Sequence, residues 1–137
     1  MSKTLKILLI EDNLIEIMKM KRTLSLLKLE HTIQEAKNGE EALKILEDKS
    51  NFPDLILLDL NMPKMSGIEF LSILKKDESI QHIPTVILTT SDNQRDLDQC
   101  YKIGVSGYIL KPLKYDDYVH KIEKVLSYWS TNELKKY

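Results

Sequence analysis

One cysteine, Cys100, is the whole thiol content of the chain. No intramolecular disulfide can form, which fits a reducing compartment, and the expected location is the cytoplasm. Four glycines and four prolines in 137 residues leave no room for a linker or a low-complexity tract. No apolar run approaches the roughly 20 residues of a membrane span. The apolar stretch near the N-terminus reaches Glu11 and Asp12 too soon for a signal peptide. Net charge is −1, so no bulk field draws the molecule toward nucleic acid or a membrane. Cys100 has no recognisable activating neighbour and reads as a small apolar residue, buried or half-buried. His31, His82 and His120 show no ligand spacing and are treated as incidental.

What the chain does have is alternation, over a length that suits one domain. Short apolar runs at Lys6–Ile10, Thr32–Glu35, Leu55–Leu58, Thr85–Leu88 and Gly107–Leu110 read as strands. Longer segments of helical period lie between them. Ile17, Met20, Leu24 and Leu27 recur within Leu14–Leu27, Ala42, Leu43, Ile45 and Leu46 within Asn38–Asp48, and Ile68, Leu71 and Leu74 within Ser66–Lys76. Tyr115, Tyr118, Val119, Ile122, Val125, Leu126 and Trp129 make a continuous stripe. Asn38 and Ser66 each stand three residues before a glutamate, the spacing of a helix N-terminus. Gly67 and Gly104 read as backbone devices. Five β-α units with continuously apolar strands predict a doubly wound α/β fold, a parallel sheet covered on both faces.

Several of these strands end on chemistry. "KILLIEDN" runs into Glu11 and Asp12, and "DLILLDLNMPKMSG" into Asp59. In open parallel sheets, sites form beyond the carboxyl ends of the strands. If the first and third strands are neighbours, three carboxylates meet at one rim, which is unfavourable unless a cation intervenes. An all-oxygen set suits Mg²⁺. "VILTTS" adds the Thr89 and Thr90 hydroxyls, and "GYILKP" adds the Lys111 ammonium. Together they predict a site for a phosphoryl group, with Asp59 as nucleophile forming an aspartyl phosphate.

The order of "EDN", "LLDLNMPKMSG", "LTTS" and "GYILKP" resembles the receiver domains of two-component response regulators, over Lys6 to about Leu126. The resemblance implies a flavodoxin-like (βα)5 fold with strand order 2-1-3-4-5. It implies that Asp59 is the phosphoacceptor, with Asp12 a direct Mg²⁺ ligand, Glu11 acting through water, and the Asn61 backbone carbonyl completing the set. Thr89 is implied as the switch hydroxyl, Tyr108 as the switch aromatic that turns inward on phosphorylation, and Lys111 as the phosphate-binding lysine. It also implies a cis Lys111–Pro112 bond, and an influence of Asn61 and Ser91 on the lifetime of the phosphoryl group. Leu113 and Lys114 depart from the family pattern, where a phenylalanine and a helix-capping residue are expected.

Each of these residues also has a plain structural reading. Glu11 and Asp12 could favour a helix dipole, Asp59 could cap a turn, and Tyr108 could be a packing residue. The joint occurrence of Glu11, Asp12, Asp59 and Lys111 at strand ends favours function. A haloacid-dehalogenase-like phosphatase would need a second Asp where Asn61 stands, and there is no room for a cap domain. A phosphorylation-independent interaction module would not need this full set. The expected protein is a non-enzymatic switch, with residues 1–126 as receiver and 127–137 as an extension of the last helix and tail. The expected partner is a sensor histidine kinase or a phosphotransfer protein. "SYWSTNELKKY" is similar to the tails of single-domain regulators paired with bacterial phytochrome kinases. Tyr101, Tyr108 and Tyr128 suggest a homodimer through the fourth helix, fifth strand and fifth helix.

Overall fold

The computed structural model describes residues 3–135. In chain order the elements are β1 Lys6–Ile10, α1 Leu14–Leu26, β2 Thr32–Ala36, α2 Gly39–Ile45, a 3-10 turn at Lys49–Asn51, β3 Leu55–Leu58, α3 Gly67–Lys76, β4 Thr85–Thr89, α4 Gln94–Ile103, β5 Gly107–Leu110 and α5 Tyr115–Thr131. The strands make one parallel sheet in the order β2-β1-β3-β4-β5. Fold class and strand order are those expected from the sequence.

Alternate residues of each central strand feed two separate cores, one on each face of the sheet. Leu8 and Ile10 join Ile56, Leu58 and Ile87 against Ala42 of α2, Phe70, Leu71 and Leu74 of α3, and Cys100 of α4. Ile7 and Leu9 join Leu55, Leu57, Val86 and Leu88 against Ile17, Met20 and Leu24 of α1 and Tyr118, Ile122 and Leu126 of α5. β3 and β4 are buried along their whole length, whereas the edge strands β2 and β5 are only partly covered.

The Asn38 side chain accepts from Glu41 N at 2.9 Å to start α2. Ser66 accepts from Glu69 N at 3.2 Å to start α3. α2 ends at Ile45, short of Asp48, because the Asp48 carboxylate caps the following 3-10 turn through Ser50 N at 3.1 Å and Ser50 Oγ at 2.6 Å. α5 starts without a side-chain cap at Lys114 and runs on to Thr131. The chain after α5 lies back on its own domain. Lys3 N donates to Ser130 O at 3.0 Å, Lys3 Nζ pairs with Glu133 at 2.9 Å, and Trp129 and Leu134 pack against the α1–α5 core.

Cys100 is fully buried, and that burial, with Asp96 nearby, pushes its thiol up to about 11. Only the thiolate reacts, so at about pH 8 a soluble disulfide reagent should leave the folded protein unmodified while labelling the urea-unfolded chain completely. Rapid labelling of folded protein would mean that α4 opens readily.

Candidate functional site

The register of the sheet builds the site. Ile10 pairs with Leu58, and Leu58 with Ile87, so the residues that follow leave the sheet at one rim. Hydrogen bonds carry the ladder one step past the strands. Glu11 N donates to Ala36 O at 2.9 Å, Asp59 N to Ile10 O at 3.0 Å, and Lys111 N to Thr89 O at 2.8 Å. The backbones of these three residues are therefore held by the sheet, although all three lie outside it.

Carboxylate oxygens of Glu11, Asp12 and Asp59 lie within 4.8 Å of one another. Glu11 and Asp59 are buried, while Asp12 is exposed and opens the cluster to solvent. Burial raises the Asp59 pKa above its ordinary value, and the Lys111 charge and the Asn61 backbone N–H offset part of that. Burial also raises Glu11, again against Lys111. Three hard oxygen donors this close, two of them desolvated, form a set that a divalent cation such as Mg²⁺ or Mn²⁺ fits. They border an open cleft of about 530 Å³ that Asn61, Thr90, Lys111 and Leu113 also line.

Two residues that the sequence reading passed over complete this arrangement. Asn13 caps α1, accepting from Ile15 N at 2.9 Å, and its own N–H donates to Glu11 Oε2 at 3.2 Å. Glu16, in the first turn of α1, accepts from Lys111 Nζ at 2.9 Å, while Glu11 Oε1 accepts from the same ammonium at 2.8 Å. Asn13 and Glu16 stand three apart, the signature of a capping box. That signal was available, but it points to a helix start and not to Lys111. The Lys111 side chain is only 7% exposed. Burial pulls its pKa down, but Glu11, Glu16 and Asp59 outweigh this and hold it above the ordinary lysine value.

The expected switch residues form a second group beside the first. Thr89 is fully buried and its Oγ1 accepts from Ser91 N at 3.2 Å. Tyr108 is half-buried against the α3–α4 core, and its hydroxyl donates to Ser91 O at 2.9 Å. The Ser91 side chain turns toward α4 and donates to Asp96 at 2.7 Å. Thr89 and Tyr108 thus both hold the Ser91 backbone. Of these threonines it is Thr90 that lines the cleft. The expected cis Lys111–Pro112 bond is corrected: among the described residues no peptide bond is cis. The two X–Pro isomers differ by only about 0.5–1 kcal/mol, so the surrounding chain decides. Here the next residues impose little, since Leu113 is fully exposed and Lys114 makes no cap.

A family model described as the response regulator receiver domain matches residues 7–123. The probable methanogenesis regulatory protein FilR2 of Methanothrix harundinacea is 36% identical over 127 residues, covering 90% of this chain and 82% of that protein. Response regulator Rcp1 of Synechocystis is 31% identical over 128 residues, covering 90% and 87% of the two chains. The Mn²⁺-bound form of Rcp1 superposes with a TM-score of 0.88 over 96% of this chain and 99% of that one. The phosphorylated cyanobacterial phytochrome response regulator RcpA is 33% identical, with a TM-score of 0.90 over 98% of this chain and all of that one.

Proposed function

The chain belongs to the response regulator receiver family, and on that premise we propose that it is a phosphorylation switch that takes its phosphoryl group on Asp59. The observation that carries this reading is the meeting of Glu11, Asp12, Asp59 and Lys111 at one rim of the sheet. An Asp59 carboxylate oxygen attacks the phosphorus of a donor phosphohistidine. The P–O bond forms as the P–N bond breaks, and the imidazole leaves with the electron pair and takes up a proton. Lys111 binds the phosphoryl oxygens. A divalent cation, proposed as Mg²⁺, would be held by Asp12, Asp59 and the Asn61 carbonyl with Glu11 beside them, and would supply charge neutralisation for the group in transfer. The protein is proposed to act only on its own phosphoryl group and not as an enzyme on other substrates.

The switch follows from the hydrogen bonds. If the Thr89 hydroxyl turns to the phosphoryl oxygens, the Ser91 N–H loses its partner, and the loop that Tyr108 also holds must rearrange. Ser91 itself should tune the lifetime of the phosphoryl group. Ser91→Glu would set a carboxylate against Asp96, and Ser91→Arg would pair with it, so the loop should settle differently in each. Phosphate loss should be slow in wild type and should change in both variants. Equal rates in all three proteins would show that Ser91 does not set the lifetime.

For the donor we propose a histidine kinase or phosphotransfer protein, of phytochrome type because one similar protein is described as a phytochrome response regulator. Leu14 and Met18, one turn apart on α1, are exposed apolar residues, and so is Leu113 at the cleft, a surface suited to such a partner. The proposed homodimer would use exposed Tyr101 on α4, Leu110 on β5 and Tyr128 on α5. Because the tail packs on its own domain, Tyr128→Ser tests this better than truncation. Light scattering should show a micromolar dimer that weakens in the variant, and a wild-type monomer with and without beryllofluoride would exclude it.

The function itself is tested by incubating the protein with acetyl phosphate and Mg²⁺ and mapping the adduct by mass spectrometry. One phosphate on Asp59, lost when EDTA is added first, is expected. No adduct together with no response to beryllofluoride would favour an interaction module. Turnover of a free phosphomonoester would favour a phosphatase.

A further inference from the structure

Lys111 has two carboxylate partners, and the phosphoryl reading above accounts for only one of them. Glu11 belongs to the acid cluster. Glu16 lies outside it on α1, yet its Oε1 is 2.9 Å from Lys111 Nζ. Glu16 has a second cation of its own, because Lys19 Nζ lies 3.4 Å from its other oxygen, Oε2. Lys19 is itself fixed over the Tyr118 ring, 4.3 Å from the centroid. Burial raises the Glu16 pKa, but Lys111 and Lys19 more than offset this and keep it below the ordinary carboxylate value.

We propose that Glu16 is a positioning residue that holds Lys111 at a resting place on the α1 side of the cleft and leaves its charge to Lys19 when Lys111 turns to the phosphoryl group. The geometry supports a resting place. The ion pairs of the buried ammonium are with Glu11 and Glu16, while Asp59 acts on it only at longer range. A phosphoryl group on Asp59 competes with both carboxylates for Lys111, whose ammonium keeps one N–H beyond these two pairs. Leaving a half-buried carboxylate bare is costly. Glu16 can be left, because Lys19 is already in contact with it. The affinity of the site for a phosphoryl-like anion is then set partly by how strongly Glu16 competes for Lys111.

This inference rests on the receiver reading, and the test separates the two. Beryllofluoride affinity is measured by calorimetry at saturating Mg²⁺, so that changes in metal binding do not intrude. Glu16→Gln keeps a hydrogen-bond acceptor for Lys111 but removes the competing charge, so beryllofluoride should bind roughly fivefold more tightly. Lys19→Gln leaves Glu16 dependent on Lys111, so binding should weaken by roughly the same factor. The double variant should match Glu16→Gln, because Lys19 acts through Glu16 alone. A purely structural role would lower melting temperatures without this sign pattern. Unchanged or weaker binding by Glu16→Gln, or a Lys19 effect that persists without Glu16, overturns the proposal. A wild type that binds no beryllofluoride overturns the receiver reading and this one with it.

Discussion

Asp59→Asn protein given acetyl phosphate and Mg²⁺ should take up no phosphate at all, and in metal-free buffer it should melt a few degrees above wild type. The first effect follows because the amide is not a nucleophile, and Glu11 and Asp12, its neighbours in the cluster, already have other tasks. The second follows from the sign of the pKa shift. Burial raises the folded-state pKa of Asp59. Its contribution to stability is therefore full below the unfolded-state value and is lost as pH rises through the folded one, so the ionised carboxylate opposes folding. Asparagine removes that charge while Lys111 keeps both of its closer partners. Mg²⁺ should raise the melting temperature of wild type clearly and of the variant much less. A phosphate adduct on Asp59→Asn would move the phosphoacceptor elsewhere. A lower metal-free melting temperature would mean that Asp59 is satisfied without a cation.

The parts of the site that lie along the chain were legible in the sequence. Strand ends can be read from apolar runs, so Glu11, Asp59 and Lys111 fall at one rim, and the β1–β3 and β4–β5 registers bring them round to one side of it. Caps at Asn38 and Ser66 are local chemistry and were equally visible. What escaped depends on where a side chain turns in three dimensions. Glu16 fits a capping box, and only the packing of α1 against the end of β5 reveals that its carboxylate goes to Lys111. Thr89 was expected to act and Thr90 to pack, yet pleating buries Thr89 and exposes Thr90 to the cleft. The end of α2 was missed because Asp48 competes for backbone donors, a contest that periodicity does not register. The Lys111–Pro112 isomer came from resemblance alone, and where Leu113 and Lys114 impose little the intrinsic trans preference stands.

Gly67→Ala should be strongly damaging for a single added methyl, although Gly67 lies outside the acid cluster. A Cβ there would stand 2.4 Å from Asp59 O and 2.7 Å from Leu60 Cα. Both are backbone atoms that cannot rotate away, and the approach is fixed by the Gly67 N–H bond to Leu60 O at 3.0 Å. α3 would have to withdraw, taking the fully buried Phe70, Leu71 and Leu74 with it. Overpacking of this kind typically costs about 1–3 kcal/mol, and contact with backbone places Gly67→Ala at the upper end. Two other glycines calibrate the scale. A Cβ at Gly39 would meet Met65 Sδ at 2.7 Å, the far part of a flexible side chain that can move, and a Cβ at Gly107 would meet Val86 at an ordinary 3.7 Å. Urea denaturation should therefore rank the losses Gly67→Ala, then Gly39→Ala, then Gly107→Ala. Phosphorylation by acetyl phosphate should slow in Gly67→Ala even where the protein remains folded, because the shifted Asp59 backbone carries its carboxylate out of line with Lys111. A Gly67→Ala protein as stable and as reactive as Gly107→Ala would show that α3 slides freely over Asp59 and that the position of the carboxylate is set by β1 and β3 alone.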